Sequence, residues 1–150
     1  MDYYSSISKG YNKFHKEEQL KKVKIILRYI KKTDKVLDVG CGTAFYRKYI
    51  KNYTGIDNSP GMLPKDCILA DAEKLPFKDK SFDIVISITA LHNVKNPEKA
   101  IKEIKRVTKG KIAISILKRS KKFKKIKTIL NKYFKNLKEI EEEKDIIFIN

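Results

Sequence analysis

The residues best placed to do chemistry lie in one short stretch, Asp38-Val39-Gly40-Cys41-Gly42-Thr43-Ala44, at the end of the apolar run that starts at Val36. Glycines at this spacing after a strand form a tight turn whose backbone a ligand can approach closely. A dinucleotide-binding turn starting at Gly40 needs a small residue at position 45, and Phe45 stands there. Asp38 also argues against a pyrophosphate, because a helix N-terminus attracts anions but a fixed carboxylate beside it repels them. An acid here suits a ligand carrying positive charge, such as an ammonium or a sulfonium group.

Short apolar runs alternate with helical patterns around this turn. Strands are predicted at Val36–Val39, Tyr53–Asp57, Cys67–Ala70, Phe82–Thr89 and Lys111–Leu117. The Phe82–Thr89 run, FDIVISIT, carries β-branched residues on both faces, as a strand covered on both sides requires. Leu20, Val23, Leu27 and Ile30 form one helical stripe, and Phe123, Ile126, Leu130, Tyr133 and Leu137 another. A helical stretch is expected through Tyr46 and Ile50. Pro97 opens a helix with Asn96 as its N-cap and Ala100, Ile101, Ile104 and Val107 as its stripe. Leu137–Glu143 and Asp145–Ile149 can pair antiparallel at the end. This alternation predicts an open, doubly wound α/β sheet, mostly parallel, whose ligand crevice lies at the carboxyl ends of the strands. One domain over 1–150 is expected, with an arm and basic helix over 1–35, a core over 36–117, and a basic helix and strand pair over 118–150.

The charge is lopsided. Lys and Arg number 35 against 18 acids, for a formal +17, so at least 17 cations have no acidic partner within the chain. From Lys118 to Lys138 there are ten basic residues and no acid, whereas 36–117 carries only +5. The surplus favours a polyanionic partner, although a solvated basic face, or a genome that simply supplies lysine codons, accounts for the same numbers. The hydrophobic fraction of 41% excludes global disorder. Two cysteines make no disulfide scaffold, and with two histidines they are too few for a convincing zinc site. No apolar run approaches the roughly 18 residues of a membrane span, and MDYYSSIS has no signal-peptide core. A cytoplasmic setting is expected.

VLDVGCGTA resembles the first motif of the class I S-adenosylmethionine-dependent methyltransferases, D/E-x-G-x-G-x-G. TGIDNSPGML and DAEKLPFKDKSFDIVIS resemble, in order and spacing, the next segments of the type 11 methyltransferase group. ALHNV and EIKRVTKGKIAISI resemble its fourth- and fifth-strand regions. The likeness implies a seven-stranded sheet, S-adenosylmethionine as cofactor, and a cofactor site of Asp38, Gly40, Cys41, Gly42, Ala44, Asp57, Asn58, Asp71, Ala72 and Tyr11. By the resemblance Asp57 holds the ribose hydroxyls, and Asp71 and Ala72 meet adenine. The chemistry agrees, since a carboxylate offers two acceptors to two vicinal hydroxyls. The alternatives are turns: an Asx turn from Asp57 into Ser59, and a cap from Asp71 before Glu73. Ala44 stands where the family has its third glycine, which is costly if that position needs a positive φ.

Methyl transfer from a sulfonium needs alignment and exclusion of water, and a base only where the acceptor must lose a proton. His92, after the fourth strand, is the candidate base; a loop histidine touching cofactor or backbone is the alternative. Ser87-Ile88-Thr89-Ala90-Leu91-His92-Asn93-Val94 is similar to the corresponding stretch of eukaryotic tRNA wobble-uridine carboxymethyl methyltransferases, which act with a small zinc-binding activator subunit. The expected acceptor is RNA, tRNA above all. The alternatives are a small-molecule acceptor and a non-catalytic RNA-binding module. At this length no lid or substrate domain is expected.

Overall fold

The computed structural model describes residues 16–42, 44–59, 61 and 63–150. Seven strands form one sheet: β1 (Lys35–Val39), β2 (Asn52–Asp57), β3 (Cys67–Leu69), β4 (Phe82–Ile88), β5 (Thr108–Leu117), β6 (Lys138–Glu141) and β7 (Asp145–Ile149). Their order is β3-β2-β1-β4-β5-β7-β6. The first five are parallel neighbours, while β7 runs antiparallel to both β5 and β6. The chain order reverses between β1 and β4, which opens a crevice at their carboxyl ends.

Alternation along the strands splits the core into two layers. Leu37, Val85, Ile112, Ile114 and Phe148 face α2 (Pro97–Val107) and α3 (Phe123–Tyr133), which bury Ile101, Ile104, Ile126 and Leu130 there. Val36, Ile84, Ile86, Ala113, Ile147 and Ile149 face the other way, toward Val23 and Ile26 of α1 (residues 16–27). The two basic helices, α1 and α3, thus lie on opposite faces of the sheet, and the +17 is not one patch. Pro97 and Asn96 behave as expected, the Asn96 side chain accepting from the Lys99 N–H at 3.2 Å.

Three details differ from the sequence reading. The stretch through Tyr46 and Ile50 is a single 3-10 turn, Arg47–Tyr49, because the segment before β2 is too short to nucleate a regular helix. The fully buried apolar residues of α1 are Val23 and Ile26, with Lys22 beside them, while Leu20 and Leu27 are only partly covered. Among the described residues, neither the β2–β3 connection nor the β3–β4 connection contains an α-helix. No α-helix of the described residues directly precedes or follows edge strand β3, and Ile68 and Leu69, on opposite faces, are 43% and 55% exposed.

Candidate active site

A cleft of about 1060 Å³ opens at the carboxyl ends of β1, β2 and β4. Its lining brings together Gly40, Cys41, Gly42, Ala44, Asp57, Asn58, Asp71, Ala72 and His92 from four separate segments. Asp38 is fully buried and does not line the cleft. Tyr11 lies outside the described residues.

The glycine turn is tied to the end of β2. The Gly40 and Cys41 N–H groups both donate to the Ile56 carbonyl at 2.9 Å, and the Gly42 N–H donates to Asp57 Oδ2 at 2.9 Å. Gly40 has φ +80°, and a β-carbon there would stand 2.5 Å from the Ala90 β-carbon, so the first turn packs directly on the segment after β4. Gly42 has φ +52°, but a β-carbon there meets nothing within 4 Å, leaving room at the cleft wall. Ala44 does adopt a positive φ, +47°, and its side chain is buried.

Beneath the turn, Asp38 Oδ2 accepts from the hydroxyls of Tyr46 and Tyr53, the latter at 2.6 Å, while Oδ1 has no partner among the described residues. Burial raises its pKa from 3.8 to about 6, more than the two tyrosine hydrogen bonds lower it. Cys41 and Cys67 both crowd Gly55, and burial pushes the Cys41 thiol well above its ordinary value, so it stays protonated and inert.

Both turn alternatives are formed, and neither removes its acid from the cleft. Asp57 Oδ1 accepts from the Ser59 N–H at 3.0 Å, and Asp71 Oδ1 from the Glu73 N–H at 2.8 Å. A carboxylate has about four acceptor sites, so Asp57 keeps capacity after two bonds. The Asp71 segment has no helix to hold it and is fastened instead by α2. Arg106 donates to the carbonyls of Leu75 and Phe77 and pairs with Asp79 and Glu103; Glu103 in turn accepts from the Leu75 N–H.

His92 sits in a 3-10 turn, Leu91–Asn93, half-buried, with Nδ1 unpartnered among the described residues. Burial lowers its pKa; Lys122 and Lys22 act the same way, and Asp145 opposes them. The imidazole is therefore neutral at pH 7 and able to accept a proton. Behind it lies a buried network that the motif reading missed. Lys22 Nζ lies 3.1 Å from Asp145 Oδ1 and donates to Thr89 Oγ1 at 3.1 Å; Thr89 Oγ1 donates to Asp145 Oδ2 at 2.6 Å. Thr89 has φ +51°, rare for a β-branched residue, and Ser115 Oγ accepts from its N–H at 3.0 Å. The sequence does carry a signal. Lys22 stands four residues before Ile26 on the buried stripe, and Asp145 opens a strand-like apolar run.

Strand order 3-2-1-4-5-7-6 with an antiparallel seventh strand, a glycine turn after β1 and an acid at the tip of β2 define a class I methyltransferase domain. The model for the methyltransferase domain family matches residues 37–114, over half of the chain. The chain belongs to that family, and its cofactor is S-adenosylmethionine. An uncharacterized protein of Methanocaldococcus jannaschii, MJ1252, is 39% identical over 117 residues, covering 72% of this chain and 47% of its own length. The ubiquinone/menaquinone biosynthesis C-methyltransferase of Neisseria meningitidis is 35% identical over 115 residues, covering 64% and 47%. The chain thus spans about half the length of these two curated relatives. Among solved structures, the protein bound to the Trm112 methyltransferase activator of Haloferax volcanii superposes with a TM-score of 0.66 at 21% identity, covering 89% of this chain and 75% of that one. At that identity the likeness speaks for the fold alone.

The residues present fit the cofactor. The acids gather at the β2 end, Gly42 leaves space at the wall, and the unpartnered Asp38 oxygen provides negative potential under the turn.

Proposed function

We propose that the protein methylates RNA, tRNA above all, at the end of the cleft away from Asp57. The observation that carries this reading is the pair of cations, Lys95 and Arg119, at the acceptor end of the cleft. Asp57 and Asp71 line the β2–β3 end, whereas Lys95 and Arg119 line the β4–β5 end and form no ion pair among the described residues; of the other cleft acids, Glu73 accepts from the Asn96 N–H at 3.1 Å and Glu18 pairs with Lys144. Unpaired cations at the acceptor end attract an anionic substrate and raise its local concentration.

When bound, S-adenosylmethionine would supply a methyl group on a sulfonium sulfur, which departs as a neutral thioether without acid assistance. In this reading Asp57 holds the ribose hydroxyls, Asn58 stands beside it, and Asp71 and Ala72 receive the adenine. Gly40, Cys41, Gly42 and Ala44 shape the backbone along the amino-acid portion, and Asp38 offsets the positive charge from below. His92 accepts a proton from the acceptor atom where one must leave.

A small-molecule acceptor is the second reading, favoured by the quinone methyltransferase among the relatives. A small activator subunit is a further part of the proposal. Edge strand β3, with Ile68 and Leu69 exposed, is the kind of surface that a partner strand covers. The deciding experiment is radiolabelled methyl transfer to unmodified bulk tRNA beside a metabolite extract. Label in tRNA, lost in His92→Ala, is expected; label confined to the metabolite fraction overturns the RNA reading.

A further inference from the structure

A second concavity lies at the opposite end of the sheet. Leu27, Ile30 and Ile50 line a groove of about 560 Å³ together with Lys31, Lys32, Lys48, Lys51 and Tyr49. The parallel strands β1 and β2 both start beside it, at Lys35 and Asn52, so it is separated from the cleft by the length of β1, about 17 Å at 3.3 Å per residue.

Its composition is unlike that of the cleft. No acid lines it, and none of its four lysines forms an ion pair among the described residues. Asp34, close by in the chain, is buried; its carboxylate accepts from the Lys31 N–H and pairs with Lys111. Tyr49 is 55% exposed, with Lys48 Nζ over its ring, 5.3 Å from the centroid. An exposed aromatic ring flanked by unpaired cations suits one kind of ligand. Single-stranded nucleic acid offers π-faces that stack on an aromatic ring and phosphates that lysines neutralise.

We propose that this groove docks a single-stranded segment of RNA, with one base stacked on Tyr49 and the flanking phosphates on Lys31, Lys32, Lys48 and Lys51. The proposal rests on the RNA reading of the cleft and extends it, because it gives an acceptor RNA a second hold away from the site of methylation. The aliphatic floor of Leu27, Ile30 and Ile50 accommodates the apolar edge of the stacked base or its sugar.

The test is fluorescence anisotropy of the full chain with a labelled 12-nucleotide single-stranded RNA across a salt series. Tyr49→Ala is expected to weaken binding roughly 5- to 150-fold, and Tyr49→Phe to leave it near wild type. Changing all four lysines to alanine is expected to lower the salt slope by about 3, at roughly 0.7 per phosphate contact. S-adenosylhomocysteine binding, measured beside it, stays unchanged in these variants, since none of the altered residues lines the cleft. Wild-type RNA binding that neither variant weakens overturns this site and leaves the RNA reading standing. Absence of RNA binding by the wild type overturns both. Binding of the wild type to anionic lipid vesicles but not to RNA assigns the groove to a membrane surface and overturns the proposal.

Discussion

Lys22 and Asp145 make a buried ion pair, 3.1 Å long, between the helix covering one face of the sheet and the first residue of β7. Two further pairs join the same segments, the part-buried Glu18 with Lys144 at 2.6 Å and the exposed Lys21 with Glu143 at 3.5 Å. The exposed Lys21–Glu143 pair is worth little. The buried one differs, because Thr89 bonds to both partners and is thereby held at φ +51°. The next residue, Ala90, is the one that packs on Gly40. A chain of contacts therefore runs from α1 through Lys22, Asp145 and Thr89 to the glycine turn after β1.

Removing one partner of such a pair leaves a charge buried without compensation. Asp145→Ala and Lys22→Ala are each expected to cost about 3–5 kcal/mol in urea unfolding. The double variant costs less than the two together, because no lone charge remains. Strict additivity would mean that the two charges do not stabilise one another.

Asp57 is expected to matter twice, because the oxygen that accepts from Gly42 also shapes the turn. Asp57→Ala should weaken S-adenosylhomocysteine binding by about 1–3 kcal/mol, through lost charge-assisted hydrogen bonds. Asp57→Asn keeps one acceptor for the Gly42 N–H and should lose less. Calorimetry measures both, and an unchanged affinity in Asp57→Ala would move the ribose site elsewhere.

Much of this architecture can be read from the chain because each signal is local. The apolar runs at 36–39 and 82–88, the Asn96-Pro97 helix start and the strand-like tail all have counterparts in the structure. The segments where local patterning misleads are held by distant partners. The 45–50 stretch has helical spacing, but β2 begins too soon afterwards for a helix to develop. The Lys22–Asp145 pair joins residues 123 positions apart, and only the antiparallel seventh strand brings them together. The glycine motif shows where the turn is but not which of its positions tolerates a side chain.

Two substitutions in that motif should behave in opposite ways. Gly40→Ala meets both a positive φ and the Ala90 β-carbon at 2.5 Å, so about 1–2 kcal/mol of backbone strain adds to about 1–3 from overpacking. Ala44→Gly relieves a similar strain at φ +47°, but it gives up a buried methyl and about 0.5–1 kcal/mol of chain entropy. These terms nearly cancel, so Ala44→Gly is expected to change stability by less than about 1 kcal/mol. Thermal unfolding of the two variants should separate clearly, and equal shifts would contradict the geometry.

Asp38 makes stability depend on pH in the direction opposite to an ordinary paired carboxylate. Its pKa rises on folding from 3.8 to about 6, so between these values the folded chain holds a proton that the unfolded chain has released. Stability therefore falls as pH rises through this window, by about 3 kcal/mol from this group, and is level above it. Asp38→Asn removes the titration. Its side-chain oxygen can still accept from Tyr46 and Tyr53, while its amide takes the place of the unpartnered Oδ1 as a buried donor, at a cost of about 1–3 kcal/mol. The variant should accordingly be the less stable of the two near pH 4.5. It should gain on wild type as pH rises to 7, which urea unfolding at both values measures. A constant difference would show that burial does not hold the Asp38 proton.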